Sequence, residues 1–529
     1  MAIAWDELAG GSGASGSGGG VGKGEVERAV AEHEAKVVPR LERLWAYYRN
    51  PTRSVARSSW TSPKQGRGYT QAQEQGLPAR ITGVRGNEIV DDRARSTREI
   101  VIENDIAWRV QAMVDFVFGK PIIIQSAAKN NTTRRMIERL LDHVWERSGG
   151  IALLQDMGTL GHVYGHVDVA MRIDEERLMA AGAAIAMSAG SSGSSESEAF
   201  EDLLRVVGDA LRVEVIEPTR GVAILDDRDY RKIRAYIVRT RAGTPRPPAS
   251  SDLGLLTSLM KLVGGSDSNQ LGGSNELLEI ITPDAWHVYE EGELVWKSLQ
   301  GLLRGELPVV HVQNISQPFE YEGISEVEAL IPLQDELNTR LSDRASRVTM
   351  QSFKMYLAKG IEGFDKVAVG PGQVWYTDNM DASITAFGGD GSSPSEDTHI
   401  REVREAMDKV SGVPPLSGGV VQGRIGNLSS ANALKVTLMG LIAKTDRKRV
   451  AYGRAITELS RLMLVALHES GVFKTAEAER VVKLIWPDPL PIDERDVVAT
   501  ASVKQQLGVS KEKVLAELGY VGEGDAGVT

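Results

Sequence analysis

The sequence predicts an α+β protein that is predominantly helical, and three observations lead to this fold class. The 529 residues are 42% hydrophobic and 25% charged, which is ordinary for a globular protein and enough for several folding units. Long segments carry apolar residues at spacings of three and four, as amphipathic helices do, while short segments alternate apolar and polar residues, as strands do. Because the strands come in a run instead of alternating with helices, we expect an antiparallel sheet.

Charge and composition exclude several classes of protein. The formal net charge is -11, so tight sequence-independent binding of nucleic acid over the whole surface is not expected, and any contact with DNA must be local or transient. There are no cysteines, which excludes disulfides and thiolate chemistry. No apolar run approaches the roughly 20 residues that span a bilayer. We therefore expect a protein with no membrane association, synthesised and assembled in a cytoplasm.

The chain opens with a Gly/Ser-rich tract, and residues 1–24 are predicted to be a flexible tail. The tract resembles a phosphate-binding loop only superficially. The GxxxxGK[ST] pattern needs Gly at position 17 and Ser or Thr at position 24, where this chain has Ser17 and Gly24. Nucleotide binding is not expected there.

Residues 25–323 are predicted to form an α+β domain. A helix is expected over residues 25–49, a further helix ends at Gly119, a strand runs over Ile122–Gln125, and two more helices precede a switch to strand alternation at Val163. Short strands are then predicted in "LRVEVIEP", "RAYIVRTR", "LLEIITP", "AWHVYEEGELVWKS" and "LPVVHVQN". Two Gly/Ser-rich tracts, residues 180–197 and 243–275, are interpreted as surface insertions.

The second half of the chain has a different organisation. A helix of about ten turns is predicted over residues 324–359, because one early proline is its sole interruption, and its apolar stripe is narrow. A small β region follows at residues 360–395, then a helix over residues 396–413. A Gly-rich mobile loop at residues 414–429 precedes a long helix over residues 430–470, and two short helices lie within residues 471–529.

Charged residues in this half are the candidate functional residues. Arg340, Arg344 and Arg347 share one side of the first helix, interpreted as a solvated or intersubunit face, with a phosphate-contacting channel face as the alternative. The β region is acidic, with candidate contact residues at Glu362, Asp365, Asp378 and Asp381. The loop holds one charge, Arg424, and its candidate DNA-facing residues are Gly418, Gly419, Gln422, Gly423, Arg424 and Gly426. The long helix is basic and is interpreted as an intersubunit or exposed face.

The order of these elements resembles the portal protein of tailed bacteriophages, the head-to-tail connector of the SPP1 and HK97 type. The resemblance lies in "VDFVFGKPIII", strands that end in "ELPVVHVQN", "GISEVEALIPLQDELNTRLSD" opening a long helix, a small β insert, a second helix, a Gly-rich loop, and a long helix that begins "NLSSANALKV". It covers roughly residues 25–520. Each motif is loose, but several in the right order are far more specific than any one alone.

The resemblance implies a ring-forming portal fold with defined regions. Residues 25–323 would be the wing, 324–359 and 396–413 the two stem helices, 360–395 the clip, 414–429 the tunnel loop, 430–470 the long wing helix and 471–529 the crown with the C-terminal tail. It also implies a dodecamer at one capsid vertex of the virion that conducts double-stranded DNA during genome packaging and ejection. Its expected partners are the terminase large subunit, a neck or adaptor protein, and the major capsid and scaffold proteins. It implies no enzymatic activity and no cofactor.

Two alternatives remain open. The chain could be another virion structural protein, such as a neck or minor head component, although those are usually shorter. It could also be a metal-dependent enzyme that uses His162 and His166, whose four-residue spacing is that of a helical metal pair. The Glu of HExxH is missing, however, and the sequence turns toward strand alternation there, so no metal is expected and polar-face histidines are the default interpretation.

Overall fold

The computed structural model describes residues 21–49, 101–188, 196–241, 276–290, 292–299, 301–352, 355–359, 378–387, 394–414, 438–490 and 501–508. These residues form a mixed helix and sheet structure, which confirms the predicted fold class. The chain divides into two compact units. Unit 1 comprises Met1–Trp45, Arg109–Val327 and Gly412–Thr529, and unit 2 comprises Ala46–Trp108 and Glu328–Ser411.

The first helical stretch is continuous but changes its winding once. It consists of α1 (Lys23–Glu32), a π-helical turn (His33–Val37) and α2 (Val38–Arg49). Val21 is buried with Val26 against strands of the larger sheet, so the predicted tail boundary at residue 24 is wrong by about four residues. The apolar side chain of Val21 packs into the core, although two further glycines, Gly22 and Gly24, follow it.

The next elements are α3 (Asp105–Phe118), β1 (Ile123–Ser126), α4 (Asn131–Arg147), α5 (Gly150–Tyr164) and β2 (His166–Ile173). The predicted switch to strand at Val163 is three residues early, because α5 runs to Tyr164. Gly165 ends that helix with a φ of 92°, a left-handed conformation that favours glycine. A Cβ at Gly165 would also collide with the backbone carbonyl of Gly323.

Two helices follow, α6 (Glu175–Ser188) and α7 (Glu196–Ala210). The tract 180–197, predicted as a surface insertion, is helical at residues 180–188 and 196–197, and residues 183–187 are exposed. Alanines dominate α6, and alanine has the highest intrinsic helix propensity, which outweighs the glycine within the tract. The second predicted insertion, residues 243–275, lies outside the described residues.

Two antiparallel sheets form the centre of unit 1. The strands are β3 (Leu211–Ile216), β4 (Gly221–Leu225), β5 (Ile233–Arg241), β6 (Glu276–Ile281), β7 (Ala285–Glu290), β8 (Glu293–Leu299) and β9 (Val309–Gln313). One sheet has the order β3-β2-β9 and the other the order β4-β5-β6-β7-β8. The five predicted strand segments are confirmed, while β4 was not predicted.

A long helix, α10 (Met439–Glu469), lies along the smaller sheet together with α4 and α5 and contributes most to the main core. Its apolar residues from Ala455 to Leu467 are nearly all buried. The strand β12 (Val482–Ile485) follows and pairs with β1, with Ile123 opposite Ile485. Residues 501–506 are also helical.

In the part of unit 2 that follows Val327, the described residues form two helices and a strand pair. A 3-10 turn (Glu328–Leu330) leads into α8 (Ile331–Ser352), followed by β10 (Met355–Lys359), β11 (Ser383–Phe387) and α9 (Pro394–Ser411). The helix predicted over residues 324–359 is therefore too long at both ends. Pro332 fits the first helical turn, and Met355–Lys359 pairs antiparallel with Ser383–Phe387 instead of extending the helix. The helix predicted over residues 396–413 is confirmed within two residues.

Candidate functional site

The candidate site is the pair α8 and α9 in unit 2, with the strand pair between them in sequence. Their apolar sides meet through buried residues that include Leu337, Leu341, Val403 and Met407. α8 carries three acids and three bases, whereas α9 carries five acids and three bases. The helix pair is therefore slightly acidic.

Each of the three candidate arginines of α8 is paired with carboxylates of the same chain. Arg340 contacts Glu336 at 2.8 Å and Asp343 at 3.2 Å within the helix. Arg344 and Arg347 reach across to α9, where they pair with Asp397 at 3.0 Å and with Glu396. A guanidinium already held by a carboxylate has less charge to offer a phosphate, so these contacts favour the structural interpretation of the arginine face.

Glu336 is the point where α8 and α9 share one carboxylate. Its Oε1 accepts hydrogen bonds from Arg340 within the helix and from His399 of α9 at 3.0 Å. Partial burial acts to raise the pKa of Glu336, but the two hydrogen bonds outweigh it, and the pKa lies below its ordinary value.

A buried polar ladder on α8 binds the extended segment 101–104. Gln334, Asn338 and Ser342 lie four residues apart on one face and are all buried. Asn338 accepts from the backbone amide of Glu103 at 3.0 Å, Ser342 from that of Val101 at 2.9 Å, and Gln334 from that of Ile106 at 3.2 Å. Gln334 in turn donates to the carbonyl of Glu103 at 2.6 Å. The ladder supplies hydrogen bonds that the extended segment would otherwise take from water.

The turn that precedes β11 displays two of the acidic candidates. Asp378 and Asp381 are exposed on either side of Met380, which is fully exposed, and the Asn379 side chain accepts from the amide of Asp381 at 3.0 Å. The other two acidic candidates, Glu362 and Asp365, lie outside the described residues. So do the loop candidates Gly418, Gly419, Gln422, Gly423, Arg424 and Gly426.

In unit 1, the two histidines of the enzyme alternative contact different partners. His162 is fully buried on α5, where its Nδ1 donates to the carbonyl of Gly158 at 2.5 Å and its ring stacks on Tyr452. The ring of His166, on β2, packs against the rings of His311 and Tyr321. Burial lowers the pKa of His162 to about 3 and that of His166 to about 4, so both rings are neutral. Among the described residues, no group of three or more His, Cys, Asp or Glu side chains is placed to hold a metal ion.

Asp168 is the centre of a buried polar cluster between the sheets. It accepts from the hydroxyl of Tyr236 at 2.8 Å, from that of Tyr321 at 2.8 Å and from Nδ1 of His311 at 2.7 Å. Burial would raise the pKa of Asp168, but the His311 ring and the hydroxyl donors outweigh it and hold the pKa below its ordinary value. The satisfied hydrogen bonds indicate a structural role for Asp168.

A second buried cluster joins the start of α10 to the segment before unit 2. Glu326 is paired with Lys444 at 2.5 Å and with Lys448 at 2.7 Å, and its backbone amide donates to the carbonyl of His162 at 2.9 Å. Burial acts to raise the pKa of Glu326, but the two lysines outweigh it and lower that pKa to about 2. Burial lowers the pKa of Lys448 to about 8. The prediction of a wholly exposed or intersubunit basic face on the long helix is thus wrong for Lys448, which is 1% exposed.

These features were not found by sequence reasoning. The residues of the polar ladder do follow a period of four, a signal that was available but was overlooked beside the apolar stripe. The pairing of Glu326 with two lysines more than a hundred residues away leaves no local signal.

Residues 268–524 match the family model described as "Phage portal protein, SPP1 Gp6-like". The match covers just under half of the chain and confirms the resemblance to this portal family that was predicted from the sequence. One of the similar solved structures is entitled "Neck of empty GTA particle computed with C6 symmetry"; it is 12% identical, with a TM-score of 0.42, over 79% of this chain and 90% of that chain. Another, "Neck of native GTA particle computed with C12 symmetry", is 12% identical, with a TM-score of 0.39, over 78% and 89% of the two chains.

No curated protein matches the sequence. Within the described ranges, none of the helices combines the length and apolar character needed to cross a bilayer.

Proposed function

We propose that this chain is the subunit of a portal ring that conducts double-stranded DNA at one capsid vertex, inward during packaging and outward at ejection. The observation that carries the proposal is unit 2, where two helices flank an antiparallel strand pair, in the order predicted and within the residues that match the portal family. In this proposal α8 and α9 are the stem, β10 and β11 belong to the clip, and twelve copies surround the channel in the virion.

The charges of the stem helices suit a conduit. A channel must not grip its cargo, because each phosphate that a cation neutralises adds a salt-dependent attraction that opposes sliding. Arg340, Arg344 and Arg347 are each held by carboxylates, and α9 has more acids than bases. A slightly acidic surface with internally paired cations repels a duplex weakly and does not retain it.

The clip turn is proposed to dock other proteins of the packaging and tail machinery. Asp378 and Asp381 flank the exposed Met380, so the turn combines an apolar tip with two carboxylates. Such a surface fits a partner with a basic rim around an apolar contact. We propose the terminase large subunit as its partner during packaging and a neck or adaptor protein afterward.

The remaining assignments follow from the same proposal. Residues 414–429 would be the tunnel loop, with Arg424 as the contact to DNA. The elements of unit 1 would form the wing, residues after Pro487 the crown, and the outer surface would meet the major capsid and scaffold proteins. The location is then the virion, after assembly in the host cytoplasm.

The first experiment is single-particle electron microscopy of the purified full-length protein. The proposal expects closed rings of twelve or thirteen copies around an axial channel wide enough for a duplex. A ring without such a channel would favour the alternative, a neck or minor head protein, and a monomer at all concentrations would oppose the proposal.

A second experiment separates conduction from assembly. Deleting residues 418–426 should leave the rings intact while DNA packaging or retention falls. The matched variant Arg424→Ala tests the charge alone. If the deletion prevents ring formation, the loop is part of the subunit contact and not a DNA-facing element.

A further inference from the structure

Phe319 is an aromatic side chain displayed on the surface of unit 1 at a strained position. It is 85% exposed and has a φ of 66°, in the left-handed region that non-glycine residues avoid. Its ring lies 6.2 Å from that of Tyr230, and the guanidinium of Arg231 lies 5.3 Å from the Tyr230 ring. Aromatic residues and arginine are the types enriched where proteins bind one another, and strained backbone persists mainly where function requires it. We call Phe319, Tyr230 and Arg231 the aromatic knob.

Helix α6 presents a second exposed apolar surface, which is made of non-aromatic side chains. Met179 is 52% exposed and Met187 is 86% exposed, and with the exposed Ala183 they lie four residues apart on one face about 12 Å long. From Met179 to the end of α6 the helix has no charged residue. Methionine side chains adapt to an inserted aromatic ring, and sulfur–aromatic contacts are favourable. We call Met179, Ala183 and Met187 the methionine stripe.

The knob and the stripe lie at opposite ends of unit 1, and the lengths of β2 and α10 give the distance between them. The loop with Phe319 follows β9, whose Gln313 pairs with His166 at the start of β2, while α6 leaves from the far end of β2. Seven strand steps correspond to roughly 23 Å. Along α10, Tyr452 bonds to Asn314 near the knob, and Ser470 contacts Gly182 in the middle of α6, which gives about 27 Å.

From this geometry we propose that the aromatic knob of one copy packs on the methionine stripe of the next copy. A head-to-tail contact requires two different, complementary surfaces on opposite sides of one subunit, because contacts between identical patches produce only closed dimers. Electrostatics also favours this contact. Copies with a net charge of -11 repel one another, but the stripe is uncharged and the exposed charges at and around the knob cancel. These are the three acids Asp227, Asp229 and Glu320 and the three bases Arg228, Arg231 and Lys232.

This inference rests on the proposed function, because it requires copies of the chain to associate in a ring. The natural absence of cysteine allows a direct test in the full-length protein. A double variant, Phe319→Cys with Met187→Cys, should form a ladder of disulfide-linked oligomers under mild oxidation. Disulfides join Cβ atoms about 4 Å apart, so the pair within one chain is out of reach.

The controls identify the contact. Each single variant should give no ladder, and coexpressed Phe319→Cys and Met187→Cys chains with different tags should give mixed dimers. Phe319→Cys with Ile123→Cys places the second thiol on another exposed apolar residue of unit 1 and should give no ladder. A ladder in this last variant instead of the first would overturn the proposal.

A second set of variants separates assembly from folding. Phe319→Gly removes the ring and relieves the strained φ, so the thermal midpoint should not fall, while half-assembly should need roughly tenfold more protein. Phe319→Trp should assemble like the natural chain. Rings that form normally with Phe319→Gly and give no ladder with the double cysteine variant would overturn the inference but leave the proposed function standing. Absence of rings from the natural chain would count against both.

Discussion

The buried cluster of Glu326, Lys444 and Lys448 predicts a large effect from one conservative change. Glu326→Gln keeps the shape of the side chain but removes the carboxylate that pairs with Lys444 and with the fully buried Lys448. Removing one partner of a buried ion pair is destabilising by about 3–5 kcal/mol. For a unit of this size, such a loss lowers the thermal midpoint by roughly 4–8 °C.

The matched variant Lys448→Met should behave in the opposite way. The cluster carries one more positive than negative charge, and burial already lowers the pKa of Lys448 to about 8 from 10.5. A methionine removes the excess buried charge and leaves Glu326 paired with Lys444, so stability should change by no more than about 1 kcal/mol. The double variant should recover part of the loss that Glu326→Gln causes.

The pH dependence has a defined sign. The pKa of Lys448 is depressed in the folded state, so between about pH 8 and 10.5 the unfolded state binds more protons and stability rises with pH. At pH 9.5 Lys448 is neutral in the fold, and the deficit of Glu326→Gln relative to the natural chain should shrink. The assay is thermal and urea unfolding followed by circular dichroism at pH 7 and pH 9.5. A deficit below 1 kcal/mol at pH 7, or a loss in Lys448→Met as large as that in Glu326→Gln, would refute the reasoning.

Three further predictions concern stability and can be checked by the same unfolding measurements. Arg347→Ala should cost about 1–2 kcal/mol because its partner Glu396 is mostly buried, whereas Arg344→Ala should cost under about 0.5 kcal/mol because Asp397 is exposed; equal losses would contradict this. Gly182→Ala should lower the free energy of unfolding by about 1–3 kcal/mol, because the added Cβ would collide with the backbone carbonyl of Ser470. Gly440 has open space around it, so Gly440→Ala should be neutral or stabilising. The pKa of Asp168 lies below its ordinary value, so its ionised carboxylate stabilises the folded state. This stabilisation is complete above about pH 4 and is lost as the pH falls below that. Asp168→Asn should therefore remove part of the acid sensitivity, and an unchanged acid transition would argue against the cluster.

Sequence patterns were sufficient where the stabilising contacts are local. The strand segment that holds β7 and β8, the helix α4 and the helix α9 follow from periodicity and from the residues that end them, and all three were predicted within a few residues. The portal resemblance came from the order of such elements, which survives when individual motifs are weak.

Prediction failed where distant pairing decides the local conformation. Met355–Lys359 contains no helix breaker, and its strand conformation depends on Ser383–Phe387 about 25 residues later. The same holds for β12, whose partner β1 lies more than 350 residues earlier. A basic cluster such as "KTDRKR" likewise cannot reveal which of its cations is buried, because the counter-ion Glu326 is remote in sequence.

The polar ladder on α8 has a mechanical consequence. Interfaces of interlocking apolar side chains can slip by a helical turn with modest loss, since one leucine substitutes for another. Gln334, Asn338 and Ser342 each meet a particular backbone group of segment 101–106, so rolling α8 about its axis or sliding it along that segment would strand several buried donors and acceptors together. The rotation of α8 about its own axis is therefore fixed. Any motion of this helix must carry segment 101–106 along with it as one rigid piece.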